Sequence, residues 1–287
     1  MKQVSFLRGY IMLILRSLFI SLLFIFLPLQ KAGAEVAVLV HGYLSDAGTW
    51  ERSGVNALLR QAGWHYAGNL SFSPAGLVEQ PVSAKQADKL FYTVNLPSLA
   101  TAPAQASWLK AAVDRISQEN PDESITLVGH SAGGVVARLM LVQYGKGKVD
   151  RLITIAAPHL GTDKAIRALD AVDDSGMFGI VKEWFVRDEI GDGMYHTLKA
   201  SRGILFNLVP PAPGTLLFWL NAQPHPDIDY VSVIRSGGYV IAGDLVVPPF
   251  SQDMNMVPAL RGKSKRWLSY QGHELTPNDG KLLAEIL

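Results

Sequence analysis

The segment Thr126–Met140, TLVGHSAGGVVARLM, changes its pattern abruptly near its middle. It begins as a short apolar run, typical of a buried strand, and ends in a helical pattern. Between the two lie Gly129, His130, Ser131, Ala132 and Gly133, which fit the spacing G-x-S-x-G. A direct passage from strand to helix brings the residues two before and two after the serine close together, so both must be small. The segment therefore predicts a tight strand–turn–helix unit that presents a serine hydroxyl.

Similar strand and helix patterns occur on both sides of this unit. The predicted strands are Val36–Val40, Tyr66–Phe72, Ser124–Gly129, Asp150–Pro158, Ile228–Ile234 and Arg266–Tyr270. The predicted helices are Ser53–Gly63, Gln105–Ser117, Ala132–Tyr144 and Asn278–Leu287. Strands that alternate with helices are typical of parallel pairing with right-handed crossovers. The pattern therefore predicts an α/β fold with a mostly parallel central sheet and helices on both of its faces.

Composition excludes several classes of protein and of site. The 287 residues are 48% hydrophobic, which suffices for one large domain. The formal net charge is only +1, so we expect no nucleic-acid partner. Because the chain contains no cysteine, disulfides and thiolate catalysis are excluded. No glycine-rich dinucleotide or phosphate motif and no loop with calcium spacing is present, so we expect neither a cofactor nor a metal.

The first 34 residues differ from the rest of the chain. Basic residues are followed by the apolar run SLFISLLFIFLPLQ and then by KAGA, which is typical of a signal peptide cleaved after Ala34. An uncleaved membrane anchor is the alternative, although Arg16 and Pro28 interrupt the apolar stretch. We therefore expect an exported, periplasmic or secreted protein whose catalytic domain spans residues 35–287, or else a protein anchored by its N-terminal helix.

The alternation of strands and helices stops between about residues 163 and 226. The stretch Gly176–Asp188 places apolar residues at helical spacing with charges opposite, which predicts an amphipathic helix. The apolar run LLFWL follows further along. We interpret this region as an inserted cap or lid, which either lines an acyl pocket or packs onto the core. A cap of this kind also suggests transient contact with a membrane or lipid interface.

A second polar strand exit precedes the serine in the chain. The strand Val36–Val40 ends in His41 and Gly42, and a polar loop follows. Acyl transfer requires N–H donors for the negative charge that develops on the carbonyl oxygen, and the candidates here are the backbone amides of Tyr43 and Ala132. His41 and His130 are interpreted as structural histidines rather than as catalytic groups.

Together, the motifs LVHGY, GHSAGG and ITIAAPHLGT resemble the α/β-hydrolase superfamily and, within it, the bacterial triacylglycerol-lipase-like serine esterases. The resemblance covers residues Val36–Leu287. It implies an α/β-hydrolase fold and a catalytic triad in the order serine, acid, histidine. Some of these lipases hold a structural calcium, for which Asp253 and Asp279 lie in suitable regions.

The implied order can be compared with the seven histidines. His273, on a glycine-containing loop between the last strand and the last helix, is the one that fits a general base for Ser131. The acid should lie after the penultimate strand, where Asp244 is favoured and Asp253 is its rival. Leu245 occupies a position where the family often has glycine, which weakens the choice of Asp244.

These residues predict an exported serine hydrolase that cleaves carboxylic esters of lipids through an acyl-enzyme. The same triad would also serve an acyltransferase, a thioesterase or a phospholipase. A non-catalytic α/β-hydrolase that binds a lipid is a third possibility, which the three triad residues disfavour. The sequence does not define the oligomeric state, the acyl chain length or the alcohol.

Overall fold

The computed structural model describes residues 35–73, 75–82, 87–173, 191–237 and 243–287. The predicted signal peptide at residues 1–34 and the predicted amphipathic helix at residues 176–188 lie outside these ranges. Within them, no helix is both long and apolar enough to cross a membrane.

An eight-stranded sheet forms the centre of the described structure. Its strands are β1 (Glu35–Val40), β2 (His65–Ser73), β3 (Gly76–Pro81), β4 (Lys89–Asn95), β5 (Ile125–His130), β6 (Val149–Ile155), β7 (Asp229–Arg235) and β8 (Ser264–Ser269). Their order across the sheet is β3-β2-β4-β1-β5-β6-β7-β8. All neighbours run parallel except β2 and β3, which form an antiparallel pair. The predicted, mostly parallel α/β sheet is therefore present.

Helices cover both faces of this sheet. They are α1 (Thr49–Arg52), α2 (Val55–Gln61), α3 (Ala102–Glu119), α4 (Ala132–Tyr144), α5 (Asp163–Ala171), α6 (Asp192–Ala200), α7 (Arg202–Asn207), α8 (Leu216–Ala222), α9 (Pro249–Gln252) and α10 (Pro277–Ile286). On one face α3 packs beside α4 over a large apolar core, and on the other α2 packs beside α10 over a smaller one. A two-sided core explains why β1 reads as an unbroken apolar run.

Two strands of the sheet were missed by the sequence analysis. β4 lies between β2 and β1 and is buried through its middle, although it was not predicted. Its stretch LFYTV is rich in aromatic and β-branched residues, which was the available indication. β3 is a mostly exposed edge strand whose sequence, GLVEQP, shows no clear apolar alternation.

The described part of the region between β6 and β7 contains helices α5 to α8 and no strand. Leu205 of α7 and both Leu217 and Leu220 of α8 join the larger apolar core. Phe218 and Trp219 of the LLFWL run are instead exposed. The buried leucines therefore pack this region onto the sheet layer, while the two aromatic side chains face outward.

Candidate active site

Ser131 lies at a strained turn between β5 and α4. Its backbone angles are φ 51° and ψ −128°, a conformation that residues other than glycine rarely adopt. The turn is held on both sides, because the Ser131 N–H donates to the Ile155 carbonyl at 2.8 Å and the Ser131 carbonyl accepts from Gly134 N–H at 3.0 Å. Surrounding hydrogen bonds thus keep the serine side chain free of both regular elements.

The glycines around Ser131 are required by close packing. A Cβ atom on Gly129 would lie 2.5 Å from the Gly134 Cα, and one on Gly133 would lie 2.3 Å from the His41 carbonyl oxygen. A Cβ on Gly42 would lie 2.9 Å from the Ser131 Cβ. These separations are shorter than van der Waals contact, so each position excludes a larger residue. The small residues predicted by the G-x-S-x-G spacing therefore have a direct structural reason.

The structure brings Ser131, His273 and Asp244 together in one hydrogen-bonded chain. His273 Nε2 lies 2.9 Å from Ser131 Oγ, and His273 Nδ1 lies 2.6 Å from Asp244 Oδ2. An ionised carboxylate can only accept, so Nδ1 carries the proton and the Nε2 lone pair faces the serine hydroxyl. The serine hydroxyl therefore donates to a nitrogen that is able to accept its proton.

Asp244 lies in a site built to keep its carboxylate charged. Oδ1 accepts from the backbone N–H groups of Val246 at 2.7 Å and Val247 at 2.9 Å, and Oδ2 also accepts from Gln252 Nε2 at 3.0 Å. Burial alone raises the pKa of this carboxyl group, but the hydrogen bond from His273 and those from the two backbone amides outweigh burial. The net result is a lowered pKa for Asp244.

Gln252 is a supporting residue that sequence reasoning missed. Its NH₂ group also donates to the Val247 carbonyl at 2.8 Å, while its side-chain oxygen accepts from Arg235 N–H at 2.7 Å. The side chain is fully buried and thus fixed. Its sequence context, PFSQD, carries no motif that identifies it.

The rival acid, Asp253, points elsewhere. Its Oδ1 accepts from the backbone and the side chain of Asn255, so it caps a short 3₁₀ helix, and its Oδ2 lies 3.6 Å from Arg266. Asp279 is buried and forms an ion pair with Arg235 at 2.8 Å. Among the residues of known position, no group of acidic and histidine side chains is arranged to hold a metal ion.

Leu245, which replaces the glycine expected beside the acid, does not disturb the site. Its side chain is 76% exposed, and its backbone is not left-handed. Because neither a close approach nor a positive φ requires glycine here, a leucine is accommodated. The doubt that this residue raised about Asp244 has no structural basis.

The predicted N–H donors lie beside Ser131. Ala132 begins α4, so its amide lacks a partner within the helix, and Gly42 and Tyr43 both line the cavity in front of the serine. Neither the Tyr43 nor the Ala132 amide donates to any residue in the described part of the chain. Both are therefore available to an oxygen bound in the cavity.

His41 fixes the direction of the Tyr43 amide. Its ring accepts from Leu96 N–H at 3.0 Å through Nε2, so the proton is on Nδ1, which donates to the Gly42 carbonyl at 2.9 Å. In a trans peptide the carbonyl of Gly42 and the N–H of Tyr43 point in opposite directions. The buried His41 ring therefore positions this N–H group at the cavity wall, in line with the structural role expected from the sequence.

His130 supports the loop that carries His273. Its Nε2 lies 2.9 Å from the His273 carbonyl oxygen, which can only accept, so Nε2 is protonated. Burial, together with the nearby His273, lowers the pKa of His130 to about 3. The ring is therefore neutral and acts as a fixed donor to the histidine loop.

The hydrogen-bonded residues Ser131, His273 and Asp244 lie at a cavity of about 530 Å³, here called the catalytic cavity. Its wall is formed by Gly42, Tyr43, Leu44, Ser45, Thr49, Arg52, Ser53, His130, Ser131, Val246, His273, Glu274 and Leu275. The Tyr43 hydroxyl contacts Ser201 Oγ at 2.6 Å, which joins this wall to the start of α7. No sequence pattern singled out Ser201.

Part of the chain matches a known domain family. Residues 76–173, which include Ser131 but neither Asp244 nor His273, match the PGAP1-like alpha/beta domain. GPI inositol-deacylase A of Yarrowia lipolytica is 36% identical over 83 residues, covering 24% of this chain and 8% of that protein. GPI inositol-deacylase of Debaryomyces hansenii is 39% identical over 62 residues, covering 19% of this chain and 6% of that protein. The matched stretches thus span less than a tenth of either relative.

Solved structures match nearly the whole chain. The mature lipase BlEst2 of Bacillus licheniformis aligns with a TM-score of 0.56 at 15% identity, covering 90% of this chain and 91% of that one. The product of the gene lin2722 of Listeria innocua aligns with a TM-score of 0.54 at 16% identity, covering 87% and 88%. The chain has the α/β-hydrolase fold. The fold class inferred from the sequence motifs is therefore confirmed.

Proposed function

We propose that this α/β-hydrolase-fold protein is an exported serine hydrolase that cleaves carboxylic esters of lipids through an acyl-enzyme. The observation that carries the proposal is the hydrogen-bonded chain of Ser131, His273 and Asp244 at the catalytic cavity. A serine, a base and an orienting acid in this order form the arrangement that activates a hydroxyl nucleophile.

Acylation begins at the Ser131 hydroxyl. Its oxygen attacks the ester carbonyl while His273 Nε2 accepts its proton, 2.9 Å away in the resting site. Asp244 stabilises the imidazolium that forms, and the amides of Tyr43 and Ala132 donate to the carbonyl oxygen as it becomes negative. Collapse of this intermediate expels the alcohol, which takes the proton from His273 and leaves the acyl group on Ser131.

Deacylation repeats the same steps with water. His273 removes a proton from water, which attacks the acyl carbonyl, and then returns that proton to Ser131 Oγ as the acid leaves. Because both half-reactions use the same base, the fixed orientation of the His273 ring serves the whole cycle. The bond from His130 to the His273 carbonyl supports that orientation.

The relatives suggest the type of ester. Both curated matches are named GPI inositol-deacylases, enzymes whose name denotes removal of an acyl group from an inositol hydroxyl. Hydrolysis of an oxygen ester is the kind of reaction that a serine nucleophile with a histidine base and an orienting acid catalyses. We therefore place acyl esters of polyol lipids first among substrates.

Export and lipid contact belong to the same proposal. The apolar, positively flanked leader at residues 1–34 supports export. Leu245, next to Asp244 in the chain, and Phe250, in α9, are 76% and 58% exposed, and Val246, adjacent to Leu245, lines the catalytic cavity. Exposed apolar side chains on this segment support transient contact with a lipid surface.

A fluorophosphonate probe for activated serines tests the proposal. Wild-type protein should be labelled and should hydrolyse p-nitrophenyl esters, and Ser131→Ala should do neither. Ser53→Ala is the matched control, because Ser53 lines the same cavity but its hydroxyl only donates to the Trp50 carbonyl. Labelling that persists in Ser131→Ala, or that is absent from the wild type, would contradict the proposed nucleophile.

Product analysis separates hydrolysis from the alternatives. With an added alcohol, a hydrolase releases mainly free acid, whereas an acyltransferase yields mainly the new ester. A protein that binds lipid tightly but neither reacts with the probe nor releases acid would be a non-catalytic member of the fold.

A further inference from the structure

A second cavity, separate from the catalytic one, lies beside α1 and α2. It has a volume of about 530 Å³, within the range of sites for small molecules. Its wall combines side chains from β2 and β4 with the loop that leads into α1, and we call it the polar cavity. The residues used below are Asp46, Glu51, Asn56, Asn69, Thr93 and Asn95.

The two cavities share a wall. In the loop that follows Tyr43, Ser45 and Thr49 line the catalytic cavity, whereas Asp46, Ala47 and Gly48 line the polar cavity. β4 is two strands from β5 in the sheet, and Thr93 pairs with Leu39, which pairs with Val128. With strands about 4.8 Å apart and about 3.3 Å per residue, the polar cavity lies about 10–15 Å from Ser131.

The charges at the polar cavity are already balanced. Asp46 pairs with Arg52 at 3.0 Å, and Glu51 pairs with Arg60 at 2.9 Å. No basic side chain is among the described residues that line the cavity. An anionic ligand would therefore find no counter-charge, and a cation would compete with two arginines already in place. The electrostatics favour a neutral ligand.

Asn56 supplies a buried acceptor without a donor. The residue is only 2% exposed, and its Oδ1 has no hydrogen-bond partner in the described structure. The amide cannot be turned around, because its Nδ2 donates to Glu51 Oε2 at 3.0 Å and the reverse orientation would set oxygen against oxygen. A buried acceptor left unpaired is costly, so a ligand hydroxyl that displaces the atoms covering Asn56 Oδ1 would be stabilised by pairing with it.

Other side chains of the polar cavity present donors. The Thr93 hydroxyl donates to Asn69 Oδ1 at 3.1 Å, and Asn95 Oδ1 accepts from Ala47 N–H at 3.1 Å. Both amides therefore use their oxygen within the protein, which leaves their NH₂ groups as donors at the cavity. Neutral amide donors beside an amide oxygen complement hydroxyl groups, because each hydroxyl both donates and accepts.

We propose that the polar cavity binds a neutral polyhydroxylated group, a sugar or cyclitol, that is joined through a linker of several bonds to the alcohol oxygen of an ester whose carbonyl lies at Ser131. The second half of this statement rests on the proposed function, whereas the binding site itself does not. The shared loop wall and the short separation let one substrate reach both cavities.

Binding is measured first, without catalysis. Saturation-transfer NMR on full-length Ser131→Ala protein uses myo-inositol and methyl glucoside as neutral probes and glucose 6-phosphate as the charged mismatch. We expect saturable binding of the neutral probes and weaker binding of the phosphate. Thr93→Val, which keeps the side-chain shape, removes the hydroxyl that fixes the Asn69 amide and should weaken binding by about three- to tenfold.

Gln80→Trp provides an independent variant that does not threaten the fold. Gln80 lies on the exposed edge strand β3 at the cavity wall, so an indole there should occupy the space and abolish binding. Ser71→Ala is the matched control, since Ser71 lies on β2 outside the cavity wall and should bind as before. Failure of all neutral probes to bind, or binding that Gln80→Trp leaves intact, overturns the inference.

Kinetics separate this inference from the proposed function. For the otherwise wild-type enzyme, Gln80→Trp should raise KM for an acylated glyceryl glucoside, whose sugar is separated from the ester by the glycerol, relative to KM for p-nitrophenyl butyrate. If the nitrophenyl ester is hydrolysed but no polyol binds, the polar-cavity inference fails and the proposed function stands. If polyols bind but no ester is cleaved, the binding site stands and the proposed function fails.

Discussion

At the scale of single residues, four N–H donors converge on the Asp244 carboxylate. They come from His273, Gln252 and the backbone of Val246 and Val247. A carboxylate, whose two oxygens only accept hydrogen bonds, suits this site. A side chain that carried a donor of its own would find no acceptor among these four N–H groups. The same convergence stabilises the charged form, in line with the lowered pKa of Asp244.

Asp244→Asn should therefore lower kcat on a soluble nitrophenyl ester by about 10⁴-fold with little change in KM. The asparagine NH₂ must face at least one N–H donor, and if it faces His273 the imidazole adopts the tautomer that cannot accept the Ser131 proton. Asp253→Asn is the control and should retain activity, because its carboxylate only caps a 3₁₀ helix and approaches Arg266. The reverse result would make Asp253 the acid.

At the scale of elements, apolar periodicity predicted those helices and strands whose apolar residues repeat regularly because one or two of their faces are buried. α4 was predicted as Ala132–Tyr144 and has those bounds, since the strained turn at Ser131 starts it and Gly145 ends it. β3 escaped prediction because its polar sequence at the sheet edge shows no apolar alternation, whereas the aromatic and β-branched run LFYTV of β4 was an indication that went unused.

The candidate site was predictable to a similar extent. The spacing around Ser131, together with the triad order that the resemblance to α/β-hydrolases implies, led to His273 and favoured Asp244. Gln252, Ser201 and the bond from His130 to the His273 carbonyl depend on contacts between residues distant in sequence. Neither composition nor local pattern encodes such contacts, so only the folded chain reveals them.

Two glycine variants distinguish packing between elements from local backbone preference. Gly133→Ala places a Cβ 2.3 Å from the His41 carbonyl, where α4 meets the end of β1, and should destabilise the fold by about 3 kcal/mol or more. Gly147→Ala meets no atom within 4 Å and only places alanine at φ +51°, which costs about 1–2 kcal/mol. Urea unfolding of both variants gives the comparison, and equal losses would show that α4 does not pack as tightly as described.

At the scale of the whole molecule, buried histidines should make the fold sensitive to acid. Burial lowers the pKa of His130 to about 3 and of His225 to about 4, and it lowers the pKa of His41 and His159 as well. The unfolded chain binds these protons near pH 6.5, so it takes up more protons than the folded chain below that pH. The resulting stability is complete above pH 6.5 and is lost as pH falls toward 3 to 4.

Urea unfolding between pH 7 and pH 4 measures this loss. Each histidine that stays neutral in the fold contributes a slope of about 1.4 kcal/mol per pH unit once the unfolded state is protonated. His130→Gln keeps an NH₂ donor for the His273 carbonyl and should reduce the slope by one such contribution. A free energy of unfolding that is independent of pH in this range would show that the four rings are not held neutral.

The exposed apolar side chains of Leu245 and Phe250, on the segment that follows Asp244, should matter only at a lipid surface. Replacing both Leu245 and Phe250 by serine removes two side chains that could insert among acyl chains, so the rate on emulsified or vesicle-bound ester should fall at least about tenfold. The rate on a dissolved nitrophenyl ester should stay within about twofold, because the polar contacts of Asp244 use backbone amides that the changes leave in place.

Tyr144→Ser is the matched control, since this exposed aromatic ends α4 about 20 Å from Ser131. Equal losses on both substrates would assign Leu245 and Phe250 to the catalytic loop itself, and equal losses in Tyr144→Ser would remove the preference for this face.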